Sequence, residues 1–236
     1  MCGRFALTST PEDLARVFGL DAVELSPRYN IAPQQDVATV TASREGGDRQ
    51  LSLRRWGLVP RWADDPRIGA RLINARAETV ASKPAFRDAF RRRRCLVPCD
   101  GFYEWRRESD GTKQPYFIEL AERVSGPFGM AGLFEEWIGP GDEGFESCTV
   151  LTTEANATVA ALHHRMPVIL DPKDFAQWLD PGLSDPDRLE PLLRPFPAEA
   201  VALRPVAPRV NDARIDDAEC LAPYDPPAVS VQGVLF

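Results

Sequence analysis

Histidine is nearly absent from this chain of 236 residues, occurring only as His163 and His164. Any imidazole acid–base chemistry therefore falls on that pair, whose unperturbed pKa near ~6.5 suits proton transfer at neutral pH. Long apolar runs are absent too, with none near the ~20 residues a spanning helix needs. Hydrophobic residues make up 44% and charged residues 27%, a globular composition that argues against a membrane protein. No apolar leader with a small-residue cleavage site follows Met1, so no secretory signal is read there and a reducing cytoplasm is expected. Cysteine is sparse and odd in number, at 2, 95, 99, 148 and 220, unlike the dense even set of a disulfide scaffold. Free thiols follow. Cys95 and Cys99 lack a second Cys or His pair at zinc spacing, so no metal and no cofactor is expected.

Charge is unevenly spread. The net charge is −7, yet residues 1–125 carry +4 and residues 126–236 carry −11. The basic half is almost all arginine, including Arg76, Arg87 and the run Arg91-Arg92-Arg93-Arg94, the side chain suited to forked phosphate contacts. The other reading of such a run is a solvated helix face.

The coarse pattern is mixed. Thr10-Pro11-Glu12-Asp13 opens a helix that Gly19 can end. The β-favouring runs 36–42 and 50–56 form a hairpin across Glu45-Gly46-Gly47-Asp48. Further strands are read at 71–75, 94–98, 101–107, 114–120, 128–134, 147–153, 166–170 and 200–206, and helices at 83–92, 155–162, 172–179 and 186–194. Without regular βα alternation, the fold class is α+β rather than a doubly wound sheet. The 22 prolines are densest after residue 180, which predicts a loosely held tail from about 222 to 236.

Several residues can carry chemistry. If Met1 is removed, Cys2 becomes a 1,2-aminothiol whose amine (~7.7–8.0) and thiol (~8.5) are both partly nucleophilic near neutral pH. Such a pair meets an aldehyde through an imine that the sulfur closes into a thiazolidine. The plainer reading is a small residue in a frayed terminus. In Asp100-Gly101-Phe102-Tyr103-Glu104-Trp105, read as a turn and a strand, alternation puts Glu104 on the face of apolar Phe102, where desolvation raises a carboxyl pKa. Its alternative is an edge glutamate paired with Arg106 or Arg107. Asn74, Arg76 and Glu78 share one side if extended, either meeting a ligand or forming an internal network with Glu78 neutralising Arg76. Of adjacent His163 and His164, whose side chains diverge, one faces inward and one solvent. Trp56 and Trp62 beside Arg61 suit either base stacking or packing.

Taken together, Cys2-Gly3-Arg4-Phe5, Arg28-Tyr29-Asn30-Ile31-Ala32-Pro33, Trp56-Gly57-Leu58-Val59-Pro60, Ile73-Asn74-Ala75-Arg76-Ala77-Glu78-Thr79, Asp100-Gly101-Phe102-Tyr103-Glu104-Trp105, His163-His164-Arg165-Met166-Pro167 and Val210-Asn211 resemble the SRAP family, in order along the chain. The resemblance implies a bifurcated β-sheet with a small barrel-like core surrounded by helices, as a single domain over 1–221. It implies a DNA damage-response protein that senses abasic sites in single-stranded DNA and crosslinks to the ring-opened sugar through Cys2 after Met1 removal. By position, Asn74 orients the amino terminus or the sugar, Glu104 is the general acid–base, and His163 acts on the sugar or its 3′ phosphate. Arg4 and Arg76 become phosphate contacts, and Pro33, Trp62 and Trp105 become wedges or stacking surfaces. His164 stands where the family has an acidic or amide residue. A monomer without an obligate protein partner, in the cytoplasm and nucleoid-associated when on DNA, completes the expectation, with autopeptidase, β-lyase and crosslink-reversal activities left open. Two other readings compete: an N-terminal-nucleophile cysteine amidohydrolase or peptidase, and a noncovalent single-strand binder.

Overall fold

The computed structural model describes residues 2–43, 48–121, 126–139 and 143–225. In chain order the elements are β1 (Phe5–Leu7), α1 (Pro11–Phe18), β2 (Arg28–Ile31), β3 (Asp36–Ala42), β4 (Arg49–Trp56), β5 (Asn74–Arg76), α2 (Arg87–Arg92), β6 (Arg94–Cys99) and β7 (Gly101–Arg107). Then come β8 (Lys113–Leu120), β9 (Phe128–Ile138), β10 (Gly144–Glu154), β11 (Arg165–Pro167), β12 (Ile169–Leu170), α3 (Phe175–Leu179), α4 (Pro186–Leu189) and β13 (Val201–Pro205), with short 3-10 turns between. Strands dominate without βα alternation, so the fold is α+β as expected.

The predicted hairpin forms: β3 and β4 pair antiparallel from Asp36↔Arg55 to Ala42↔Arg49, while its connecting residues 44–47 lie outside the described residues. β3 also pairs β6, β6 pairs β9, β9 pairs β10, and β10 returns to β4 in parallel. Five strands thus close into the small barrel that the resemblance implies, a closure that removes free edges from the ring. Val40, Leu96, Leu133 and Val150 on its strands are all buried. β5 and β11 hang from β10, and β12 from β9. The second sheet, in order β13-β8-β7-β1-β2, supplies the bifurcation.

The chain passes between the two sheets at Asp100, where β6 ends and β7 begins. The Asp100 carboxylate accepts from the Thr8 and Ser9 amides and the Ser9 hydroxyl, tying the end of β1 to this crossing. Gly101 is required next: a Cβ there would lie 2.2 Å from the Phe117 ring and 2.7 Å from the Ile118 oxygen.

α1 has the caps its sequence promises, with the Thr10 hydroxyl accepting from the Asp13 amide and Gly19 at φ 65°. The other helices are shorter than their patterns suggest. Of 83–92, only Arg87–Arg92 is α-helical. Pro191, whose ring and missing N–H disfavour continuing the helix, follows Pro186–Leu189, after which 190–192 is a 3-10 turn, and 172–179 begins as a 3-10 turn before Phe175–Leu179. Segment 155–162 holds only a 3-10 turn, Val159–Ala161. Among the described residues no helix is long and apolar enough to cross a membrane. Of the predicted tail, Pro223 still bridges to Val206, and residues 226–236 lie outside the described residues.

The arginine run divides by role. Arg94 is 4% exposed and donates to the carbonyls of Phe90, Arg91, Trp178, Asp180 and Leu183, binding the ends of α2 and α3 together. Burial pulls its pKa down to about 10. Arg93 pairs with buried Glu135 at 2.6 Å, whereas Arg91 and Arg92 are exposed.

Candidate active site beside Cys2

β1 pairs with β7 only as far as Phe5↔Phe102, with one further bond from the Tyr103 amide to the Arg4 carbonyl. Past Tyr103, no strand among the described residues pairs with the β1 side of β7, and a cleft of about 500 Å³ wraps around it. Glu104, Trp105, Arg107, Lys113, His163 and Asn211 line this cleft.

Cys2 lies just before β1 and is fully buried. Its carbonyl accepts from Asn74 Nδ2 at 2.8 Å, and its thiol rests 3.9 Å from the Arg4 carbonyl. Burial raises the thiol pKa well above its ordinary value, and the charge of Glu104 adds to the rise. The thiol is thus held neutral. Asn74 is carried by β5, fixed in parallel against Val150 of β10, and its Oδ1 is buried with no hydrogen-bond donor among the described residues. That oxygen is set to accept one more N–H beside the backbone of Cys2.

Glu104 is 5% exposed, which settles its two readings. Arg106 pairs instead with Glu108, and burial raises the Glu104 pKa against the opposing charge of His164. Such a carboxyl can keep and deliver a proton closer to neutral pH than an exposed one.

His163 is half-buried and His164 exposed, as alternation suggests, but the side chains do not diverge. Their rings stack at a centroid distance of 4.3 Å and an angle of 27°. The Arg165 amide donates to His163 Nδ1 at 2.9 Å, which leaves Nε2 to carry the proton of the neutral ring. Burial lowers the His163 pKa, with the Arg165 charge adding to it; His164 is lowered first by the charge of His163.

The expected extended run Asn74-Arg76-Glu78 is interrupted, because a 3-10 turn over Ala77–Thr79 swings Glu78 away. Glu78 forms a two-pronged pair with Arg165 at 2.7 and 2.9 Å rather than with Arg76. This joins the segment after Asn74 to the segment after His163. Arg76 itself is exposed, and its charge reaches His164.

Trp105 is half-buried in the cleft, its indole N–H donating to Asn211 Oδ1 at 2.6 Å. Arg4 is occupied within the fold, with Nη1 at 2.7 Å from both Asn30 Oδ1 and the Val210 carbonyl. Asn30 donates in turn to the carbonyls of Val210, Asp212 and Ile215, and Asp216 accepts from the Tyr29 and Asn30 amides and from Arg28. The segment around 210–216 is thereby clasped onto β2 and the approach to β1. Trp62 is 58% exposed and lines a separate hollow with Arg67 and Arg71, and half-buried Pro33 stands in the turn after β2; neither lines the cleft.

The structure thus gathers Cys2, Asn74, Glu104, His163 and Trp105, with Arg76 near the rim and Arg4 in the supporting frame. Sequence reasoning passed over Lys113, read Arg107 only as a partner for Glu104, and quoted Asn211 only within a family motif. Alternation from Trp105 points to Arg107, but Lys113 requires the β7–β8 register and Asn211 the tertiary fold. A hollow of about 870 Å³ lined by Arg54, Arg61, Arg92, Arg93 and Arg94 is larger, yet most of its charge is consumed. Arg54 pairs with Glu146, Arg93 with Glu135, and Arg61 with Glu135 and Glu136. Among the described residues no group of three or more His, Cys, Asp or Glu is arranged to hold a metal, and all five cysteines are free.

Residues 1–213 match the family described as SOS response associated peptidase (SRAP). Abasic site processing protein YoqW of Bacillus subtilis (strain 168) is 40% identical over 225 residues, covering 94% of this chain and 99% of that protein. Abasic site processing protein HMCES of Gallus gallus is 34% identical over 227 residues, covering 84% of this chain and 67% of its own length. A protein from Bacteroides thetaiotaomicron solved by X-ray crystallography superimposes with a TM-score of 0.83 at 25% identity, covering 94% of this chain and all of that one. On its matched length, its relatives and its architecture, the chain belongs to the SRAP family.

Proposed function

We propose that this protein processes abasic sites in DNA, capturing the ring-opened aldehyde of the bare sugar in a single strand through the amino group and thiol of Cys2 once Met1 has been hydrolysed off. The observation that carries the reading is the grip of Asn74 on the Cys2 backbone, beside a buried carboxyl and a cleft lined by an imidazole. Relatives named for abasic site processing support the substrate class.

In this reading the amine attacks first, because burial keeps the thiol neutral. The nitrogen lone pair forms a bond to the aldehyde carbon, and Glu104 protonates the departing oxygen, which leaves as water. The sulfur then adds across the resulting C=N bond, and the thiol proton ends on nitrogen, so one water is released for each thiazolidine formed. Asn74 Oδ1 accepts from the amine, and His163 offers Nε2–H to the sugar or its phosphate. Arg76, and Arg4 where its guanidinium reaches the surface, serve the backbone, with Pro33, Trp62 and Trp105 as wedges or stacking surfaces. An abasic site lacks stacking and pairing, so it enters the cleft at less cost than an intact nucleotide. Residues 1–221 act here as one unit, a cytoplasmic monomer.

The test is a denaturing gel of purified protein with single-stranded DNA carrying one abasic site. Unmodified protein shifts; Cys2→Ala, an amino-terminally tagged form and DNA reduced at the abasic aldehyde do not. A shift that survives Cys2→Ala, or no shift with unmodified protein, removes the proposal in favour of noncovalent binding or amide hydrolysis.

A further inference from the structure

We propose that Arg107 and Lys113 form a backbone-phosphate subsite that holds one flank of the DNA strand whose bare sugar lies at Glu104. The inference rests on the reading above and extends the same cleft.

Arg107 and Lys113 are direct partners in the antiparallel β7–β8 ladder, so their side chains rise from the same face. Trp105, two residues before Arg107, shares that face. Both cations are exposed, and among the described residues neither enters an ion pair or a side-chain hydrogen bond. Their neighbours are otherwise committed: Arg106 pairs with Glu108 and lies over the Tyr116 ring, and Asp110 accepts from the Thr112 amide and hydroxyl. The cleft therefore has two chemically different sides. Glu104 and His163 lie on the side toward Cys2, and two uncommitted positive charges lie beyond the indole of Trp105.

Adjacent like charges on a ladder repel, a cost that a bound anion removes. A ligand that meets both sides must join a bare sugar to a phosphate past an aromatic surface, which describes a strand with its next base stacked on Trp105. Trp105 is held in place for this by Asn211. Arg92 on α2 is exposed as well, but it lines the hollow beside the barrel sheet rather than this cleft.

The experiment measures binding of the full chain to a single strand with one tetrahydrofuran abasic analogue, which cannot form an imine, across a series of NaCl concentrations. Each phosphate contact contributes about 0.7 to the slope of log affinity against log salt for a single strand. Arg107→Ala/Lys113→Ala should lower the slope by about 1.4. The charge-preserving Arg107→Lys/Lys113→Arg pair should restore it. The loss should persist when one flank of the oligonucleotide is trimmed and vanish when the other is trimmed, whereas Arg92→Ala should lower the slope less and without flank preference. An unchanged slope, or a loss equal to that of Arg92→Ala for both trimmed strands, overturns the subsite. A wild type that shows the slope but forms no adduct with a true abasic site overturns the Cys2 chemistry and leaves the subsite standing.

Discussion

Arg94→Ala is expected to destabilise the protein by about 3–5 kcal/mol, the scale for removing one partner from a buried charged assembly. The structure sets the reasoning: one guanidinium satisfies five carbonyl oxygens at the ends of α2 and α3 and at Leu183. Each oxygen left without a donor costs about 1 kcal/mol or more, and water entering the space vacated by the side chain recovers part of the sum. In a chain of this size about 2–4 °C of Tm accompanies each kcal/mol, so a drop of roughly 6–20 °C follows. The neighbouring exposed Arg92→Ala should stay within about 0.5 kcal/mol of wild type. Urea unfolding followed by tryptophan fluorescence, with thermal melts alongside, measures both variants. Equal stabilities for the two, or an Arg94→Ala that melts normally while losing DNA affinity, would show that the run acts as a ligand surface and that the burial argument is wrong.

Glu104→Gln should slow adduct formation yet raise Tm at pH 8. A carboxyl whose folded pKa is raised stabilises the fold below its ordinary value near 4.5 and withdraws that support as pH climbs through the folded value, so the gain should fade in acid; a pH-independent difference in Tm contradicts this. Asp216→Ala removes the acceptor shared by the Tyr29 and Asn30 amides and Arg28, at a cost of about 2–4 kcal/mol by denaturant melts. A change below 0.5 kcal/mol, within the range of ~0.5 typical of surface sites, would remove the clasp from the account. Both imidazoles should titrate by NMR below the ordinary 6.5, and His163→Gln should move His164 upward; an unmoved His164 would show that the stacked rings do not share their charge.

What was readable in the sequence was local. Thr10, Pro11 and Gly19 bound their helix because caps act within a few residues, and the 36–42 and 50–56 runs paired because alternation and a short connection determine a hairpin. Glu104 was legible as an inward carboxyl through its spacing from Phe102. β1 and β2 were not read as strands: three and four residues are too short for a pattern, and both owe their state to partners far along the chain. The turn that diverts Glu78 toward Arg165, and the stacking of two adjacent histidines, depend on packing that no window of sequence contains. The family resemblance supplied the barrel-like core, since its closure pairs Arg55 of β4 with Ser147 of β10, far beyond any local window of sequence.

Thr152 sits opposite Arg76 of β5 on one flank of β10 and opposite Pro167 of β11 on the other. The spacing between the Asn74 amide and the His163 loop is therefore indexed by a single strand. Deleting one residue ahead of Thr152 would displace both groups together, so the length of this one strand is tied to the site it spaces.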